Sequence, residues 1–188
     1  MRRLSLALAL VFGGIAAGTR SEYLSIKQKF KAIETQHTRP GAKVALPSNE
    51  LNAYVQTELP TLAPSGVRQA SVELLGNNMA RGRAMVNFVK LQSANGNQPG
   101  WLMSKILDGE RPLVVTAQVV SANGQATVYL KRVEFGGVPV EGNALDFLIA
   151  NYLLPNYPNA LIGRPFQLDH RMDRLEVQPG VAYVVIKP

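Results

Sequence analysis

Apolar residues recur along this chain with two periods, and the change from one to the other separates helical from extended stretches. From Ser21 to Gln36, Tyr23, Ile26, Phe30 and Ile33 return at steps of three and four. That spacing predicts one stripe of an amphipathic helix, with Ser21 as N-cap and Lys27, Lys29 and Lys31 off the stripe. Thr38-Arg39-Pro40-Gly41 breaks it, and a short extended piece, Lys43 to Leu46, leads into Pro47-Ser48. A second helix is expected from Ser48. Leu51, Tyr54, Val55 and Leu59 share a face, Glu50 lies in the first turn, and Pro60 ends it before a loop reaching Gly66.

Beyond that loop the period falls to two. Val67–Leu75 and Met79–Leu91 read as strands joined around Gly76-Asn77-Asn78. In the second, Ala80, Gly82, Ala84, Val86 and Phe88 form a small apolar face opposite Arg81, Arg83, Met85 and Asn87. Ser93 to Gly100 is a polar loop, and Trp101 to Leu107 a short apolar helix. Leu113–Ala122 and Gln125–Phe135 form a hairpin turned at Asn123-Gly124, the strongest short turn signal in the chain. Gly136-Gly137-Val138-Pro139 ends it. A helix from about Asn143 to Leu154 carries Leu145, Leu148, Ile149, Tyr152 and Leu153, and is closed by Pro155 and Pro158. Arg174–Val177 and Val181–Ile186 make a last hairpin across Gln178-Pro179-Gly180.

Hairpin-connected strands with helices between them predict an α+β fold, a curved antiparallel β-meander wrapped around helices. A sheet curled on a helix leaves a groove.

The N-terminus follows a different rule. Leu4 to Ala17 is apolar apart from Ser5, Gly13 and Gly14, after Arg2-Arg3. As a helix this run would span roughly 21 Å, short of the ~30 Å hydrocarbon core. A basic start, a short apolar stretch and Ala16-Ala17-Gly18 make the pattern of a secretory signal over residues 1–18, cleaved or retained as an anchor. One domain over 19–188, periplasmic or secreted, is the expectation.

Composition narrows the chemistry. With no cysteine there is no disulfide and no thiolate metal site. The net charge is +7, which favours acidic partners, but the basic residues are scattered and export argues against nucleic acid. His37 and His170 are the only histidines and no His-x-x-x-His frame exists, so no metal or other cofactor is expected. His37 follows a helix and is expected to meet its C-terminal carbonyls. Asp169-His170-Arg171-Met172-Asp173 reads as an exposed turn. Neither a Gly-x-Ser-x-Gly elbow nor a phosphate loop is present, and no catalytic constellation stands out. Apolar faces remain. A greasy ligand gains about 0.8 kcal/mol per buried methylene without any polar motif.

The run Leu46-Pro47-Ser48-Asn49-Glu50-Leu51-Asn52, the Leu74-Leu75-Gly76-Asn77 turn and the stretch from Ala122 through Val133-Glu134-Phe135-Gly136-Gly137-Val138-Pro139-Val140 resemble the bacterial YpmS-like and LmeA-like envelope families, over roughly residues 44–188. The resemblance implies a curved sheet around a helix, an apolar groove and phospholipid binding at the cell envelope. On this reading the protein is a non-enzymatic binder of a phospholipid or similar amphiphile, with peripheral membrane contact. Its groove would be lined by Tyr54, Val55, Val86, Phe88, Trp101, Leu148, Ile149 and Tyr152, with Arg81 and Arg83 near the rim for headgroups. The alternative is a module that docks on another envelope protein or an anionic wall polymer.

Overall fold

The computed structural model describes residues 4–62, 66–94, 109–154 and 161–188. In chain order the elements are α1 (Leu4–Glu34), β1 (Lys43–Pro47), α2 (Ser48–Leu62), β2 (Val67–Gly76), β3 (Met79–Val86) and α3 (Phe88–Ala94). There follow β4 (Arg111–Ala122), β5 (Gln125–Phe135), β6 (Val138–Pro139) and α4 (Gly142–Leu148), which runs into a π-helical turn, Ile149–Leu153. Strands β7 (Pro165–Gln167), β8 (Met172–Gln178) and β9 (Val181–Ile186) complete the chain. The fold is α+β with two open, curved antiparallel sheets. The larger is ordered β2-β3-β4-β5-β6, with β7 also on β5, and the smaller β1-β9-β8.

The turns follow from local chemistry. Asn77-Asn78 and Asn123-Gly124 both place two successive residues at positive φ, the type I′ geometry that suits the right-handed twist of a hairpin. Gly136-Gly137 does the same, and here the chain does not simply leave the sheet. Val138 returns to pair with Phe135, and Pro139 with Glu134. His170-Arg171 forms another left-handed pair, exposed, with Met172 N–H donating to the Asp169 carbonyl. The charged run therefore forms the exposed turn its sequence predicts.

Several expectations are corrected. Helix α1 runs straight through Ser21, which is not an N-cap; the good helix former Ala stands at 16 and 17 and no proline intervenes. It ends in a Schellman arrangement with Gln36 left-handed, the Gln36 N–H on the Ile33 carbonyl and the His37 N–H on that of Ala32. The His37 ring meets the Thr35 hydroxyl (2.7 Å), while its backbone N–H satisfies the carbonyl. Helix α2 extends to Leu62, past Pro60. Strand β3 stops at Val86, and Phe88 to Leu91, read above as strand, is helical. The buried Asn87 side chain accepts the Lys90 N–H (3.0 Å), so it caps α3, and Phe88 and Leu91 then share the buried face at a spacing of three. The helix expected over 101–107, and Trp101 with it, lies outside the described residues, as do Pro155 and Pro158.

Two apolar clusters hold the layers. Ile26 and Ile33 of α1, Leu46 of β1 and Val184 and Ile186 of β9 form the first, with Phe30, Leu51 and Tyr54 against it. Val86, Phe88, Leu91 and Tyr152 form the second, under the large sheet. Polar side chains join the two halves. Asn52 of α2 donates to the Val72 carbonyl and accepts the Val72 N–H, both at 2.8 Å. Asn78 accepts the Val177 N–H (2.8 Å) while its own N–H donates to the Val177 carbonyl (3.1 Å). Ser121 both accepts from the Leu175 N–H and donates to its carbonyl.

The seam between α1 and α2 is charged: Tyr23 and Lys27 both donate to Glu58, at 2.5 and 3.2 Å, and Ser25 and Lys29 to Glu50. The Tyr23 hydroxyl first, and Lys27 next, hold the Glu58 carboxyl below its ordinary pKa. Its contribution to stability is present above the unfolded value of about 4.3 and disappears as pH falls through the lower folded value. Thermal melts across that acid range should show a Glu58→Gln variant melting below wild type at neutral pH, with the gap narrowing in acid. A gap constant with pH would show that Glu58 acts only by packing. Asn78→Ala should cost about 1–3 kcal/mol, because the Val177 N–H loses its acceptor and the left-handed turn its preferred residue. Chemical denaturation would measure it.

Candidate functional site

Beneath the large sheet lies an open cavity of about 360 Å³. Strands supply Val67, Ala84, Val86, Leu113, Val115, Leu130 and Val133; helices and the π turn supply Leu59, Phe88, Leu91, Leu145, Leu148, Ile149, Tyr152 and Leu153; Ile162 completes the lining. Of these sixteen side chains only that of Tyr152 carries a polar atom.

Strand register explains why so many apolar residues face one way. Directly paired residues share a face, so Val86, Ala84, Gly82 and Ala80 stand beside Arg111, Leu113, Val115 and Ala117. On β5, Val133 pairs with Val115 but Leu130 with Ala117, an interval of three residues opposite two. Lys131 is the extra residue of this bulge, and it resets the alternation so that Val133 and Leu130 both face the cavity. Without the bulge the far half of β5 would turn its apolar residues outward. A second irregularity between Arg68 and Ser71, with Gln69 at positive φ, bends β2 at the other side.

The floor is aromatic. Phe88 packs edge-on against Phe135 (4.8 Å between centroids) and Tyr152 (4.6 Å), and Phe147 lies 6.1 Å from Tyr152. Burial pushes the Tyr152 phenol above its ordinary pKa, so it stays a neutral hydroxyl. The π turn sits on this floor: Leu154 N–H donates to the Ile149 carbonyl (2.9 Å), and the wider turn presents Leu148, Ile149, Tyr152 and Leu153 to the cavity together.

Five of the predicted groove residues, Val86, Phe88, Leu148, Ile149 and Tyr152, are brought together here. Tyr54 is not among the lining residues. It packs edge-on against Phe30 (5.0 Å) and stacks with Tyr23 (6.4 Å) in the α1–α2 seam. Val55 is half-buried on α2 and does not line the cavity either; Leu59, one turn on, does. Arg81 and Arg83 occupy the opposite face of β3, where both pair with Glu73, at 3.2 and 2.9 Å. Trp101 lies outside the described residues. Leu113, Val115, Leu130 and Val133 were missed as lining, although their alternating apolar pattern carried the signal once the register was known.

Among the described residues, no cluster of three or more His, Cys, Asp or Glu could hold a metal ion, and no described helix is long and apolar enough to cross a membrane. Apart from the neutral Tyr152 phenol, the described lining side chains are hydrocarbon, an arrangement that can sequester apolar groups. Comparison of the chain with protein-family models, with curated proteins and with solved structures finds no match.

Gly82 tests the geometry directly. A Cβ placed there meets no heavy atom within 4 Å, on a strand between lining residues. Gly82→Val should therefore fold normally and melt at or above the wild-type temperature, gaining up to about 1 kcal/mol from strand propensity. A lower melting temperature would mean that the space beside Ala84 and Val115 is already filled.

Proposed function

We propose that the protein is a non-enzymatic envelope protein that binds a phospholipid or similar amphiphile, its chain held in the cavity beneath the large sheet. The observation that carries this reading is the open cavity of about 360 Å³ whose described lining residues include a single polar side chain. Exposed apolar surface of this kind is costly in water unless something covers it. On volume, at ~30 Å³ per water-sized group, about a dozen methylenes fit. Their burial is worth about 10 kcal/mol before the cost of association. The apolar N-terminal run and its resemblance to exported proteins support a place outside the cytoplasm.

Mass spectrometry of an organic extract of the purified protein, expressed with its export sequence in a bacterial host, tests the reading. A stoichiometric amphiphile is expected, and Gly82→Leu, which projects a side chain into the free space beside Ala84, should reduce its occupancy severalfold while leaving the protein folded. An extract that stays empty after incubation with liposomes would overturn the proposal. It would favour the docking module instead, for which the outer sheet face offers exposed Val120 and Tyr129.

A further inference from the structure

The basic residues singled out for headgroups, Arg81 and Arg83, stand on the wrong face of β3 and are engaged by Glu73. Arg111 stands on the right one. It is the register partner of Val86, whose side chain lines the cavity, so the two side chains leave the sheet on the same side. It lies two positions before Leu113, about 7 Å along the strand from another lining residue, at the end of the sheet. There its stem runs over the Gly136-Gly137 turn: a Cβ at Gly136 would lie 3.5 Å from Arg111 Cδ and 3.9 Å from Nη1. Val138, just beyond that turn, is 65% exposed.

Arg111 itself is exposed, and none of the ion pairs among the described residues involves it. Its chain neighbour Glu110 is held by Arg68, and Glu134 by Arg132, while Glu141 and Asp146 at the start of α4 are exposed and unpaired with it. Beside the lining residues Val86 and Leu113, at the end of β4, there is thus a guanidinium that forms no ion pair among the described residues, with five donors in a planar fork, the geometry that grips a carboxylate or a phosphate.

Resting on the proposed amphiphile binding, we infer that the cavity selects an anionic, single-chain amphiphile, with the chain inside and the anionic head on Arg111. The volume, about a dozen methylenes, fits one acyl chain more readily than two. A carboxylate head and a phosphate head share the required chemistry, a compact anion at the end of an apolar chain.

Binding of three ligands with the same twelve-carbon chain separates the cases: the fatty acid, the lysophosphatidic acid and the uncharged monoacylglycerol. Wild type should bind at least one of the two anions about twofold to fivefold more tightly than the neutral ligand, the upper part of the range open to an exposed charge pair. Preference for both marks a general anion site, and preference for one identifies the head. Arg111→Gln should abolish the preference and leave neutral binding unchanged, and Arg111→Lys should restore part of it. Equal affinity of wild type for all three, or a preference that survives Arg111→Gln, would overturn the inference while leaving the apolar site standing. No binding of any of the three would overturn the amphiphile reading itself. Because Arg111 is exposed, the variants should melt with wild type, which a thermal scan checks.

Discussion

Three side chains take the place that a neighbouring strand would occupy, and the arrangement of both sheets depends on them. Asn52 presents its carboxamide to the N–H and C=O of Val72, the outward edge of β2, as a strand residue would. Ser121 does the same with its hydroxyl for Leu175 on β8, and Asn78 accepts the Val177 N–H with its side chain while its own backbone N–H donates to the Val177 carbonyl. Each contact satisfies backbone groups that would otherwise be lost from water without a partner, a cost of about 1–3 kcal/mol apiece. Hydrophobic burial alone has no such directionality. The two apolar clusters could slide relative to one another, but the amide contacts fix the register of β8 across the hairpin ends and of α2 along the sheet edge. The Asn52 contact also occupies edge β2 at Val72, which would otherwise be open to pairing with another chain.

With the layers fixed, the shape of the cavity is a matter of bulges. A regular five-stranded meander alternates its side chains strictly, and an apolar face then extends only while the sequence keeps its phase. Here the sequence changes phase on β5, and Lys131 absorbs the change. The extra residue points to solvent beside Tyr129, its ammonium 5.8 Å from the ring centroid, while Leu130 and Val133 both turn inward. Bulges also increase local twist and curvature, so one inserted residue both keeps the face apolar and adds to the curvature of the sheet. The π turn supplies the complementary adjustment on the other wall.

Much of this was legible in advance. The three hairpins, the two N-terminal helices and the antiparallel α+β class followed from Asn-Asn, Asn-Gly and Pro-Gly turns and from the change of period, because those signals act locally, whereas α3, β6 and β7 did not. The inner face Ala80-Gly82-Ala84-Val86 was legible for the same reason. What was not legible depended on contacts distant in sequence. Phe88 continues the alternation of β3 by one more step, and only the capping of α3 by Asn87 turns it into a helical residue. Tyr54 has the same apolar helix face as Leu59, yet one faces α1 and the other the cavity, a division set by where α2 crosses the sheet. Arg111 opens β4 with no distinguishing signal, and the side of the sheet it leaves from is set by its pairing with Val86. The composition of Leu46–Asn52 pointed to a helix start, but not to Asn49, Glu50 and Asn52 holding Glu22, Lys29 and Val72.

The distribution of charge bears on the ligand more than its total does. The surplus of +7 suggests at first a basic surface open to any anion, but many of its cations are already paired. Lys27, Lys29, Lys43, Arg68, Arg81, Arg83, Arg132 and Arg174 each have a carboxylate within salt-bridge distance. Exposed pairs of this kind add little to stability, yet each removes a cation from the field that an approaching anion meets. A long-range attraction based on net charge would also be screened beyond about 8 Å at physiological salt. Selectivity therefore has to come from a cation placed at the cavity itself, where a bound chain excludes water from one side and strengthens the local interaction. Under the proposed amphiphile binding, Arg111 is placed to meet that condition: it is paired with the lining residue Val86 and stands two positions from the lining residue Leu113.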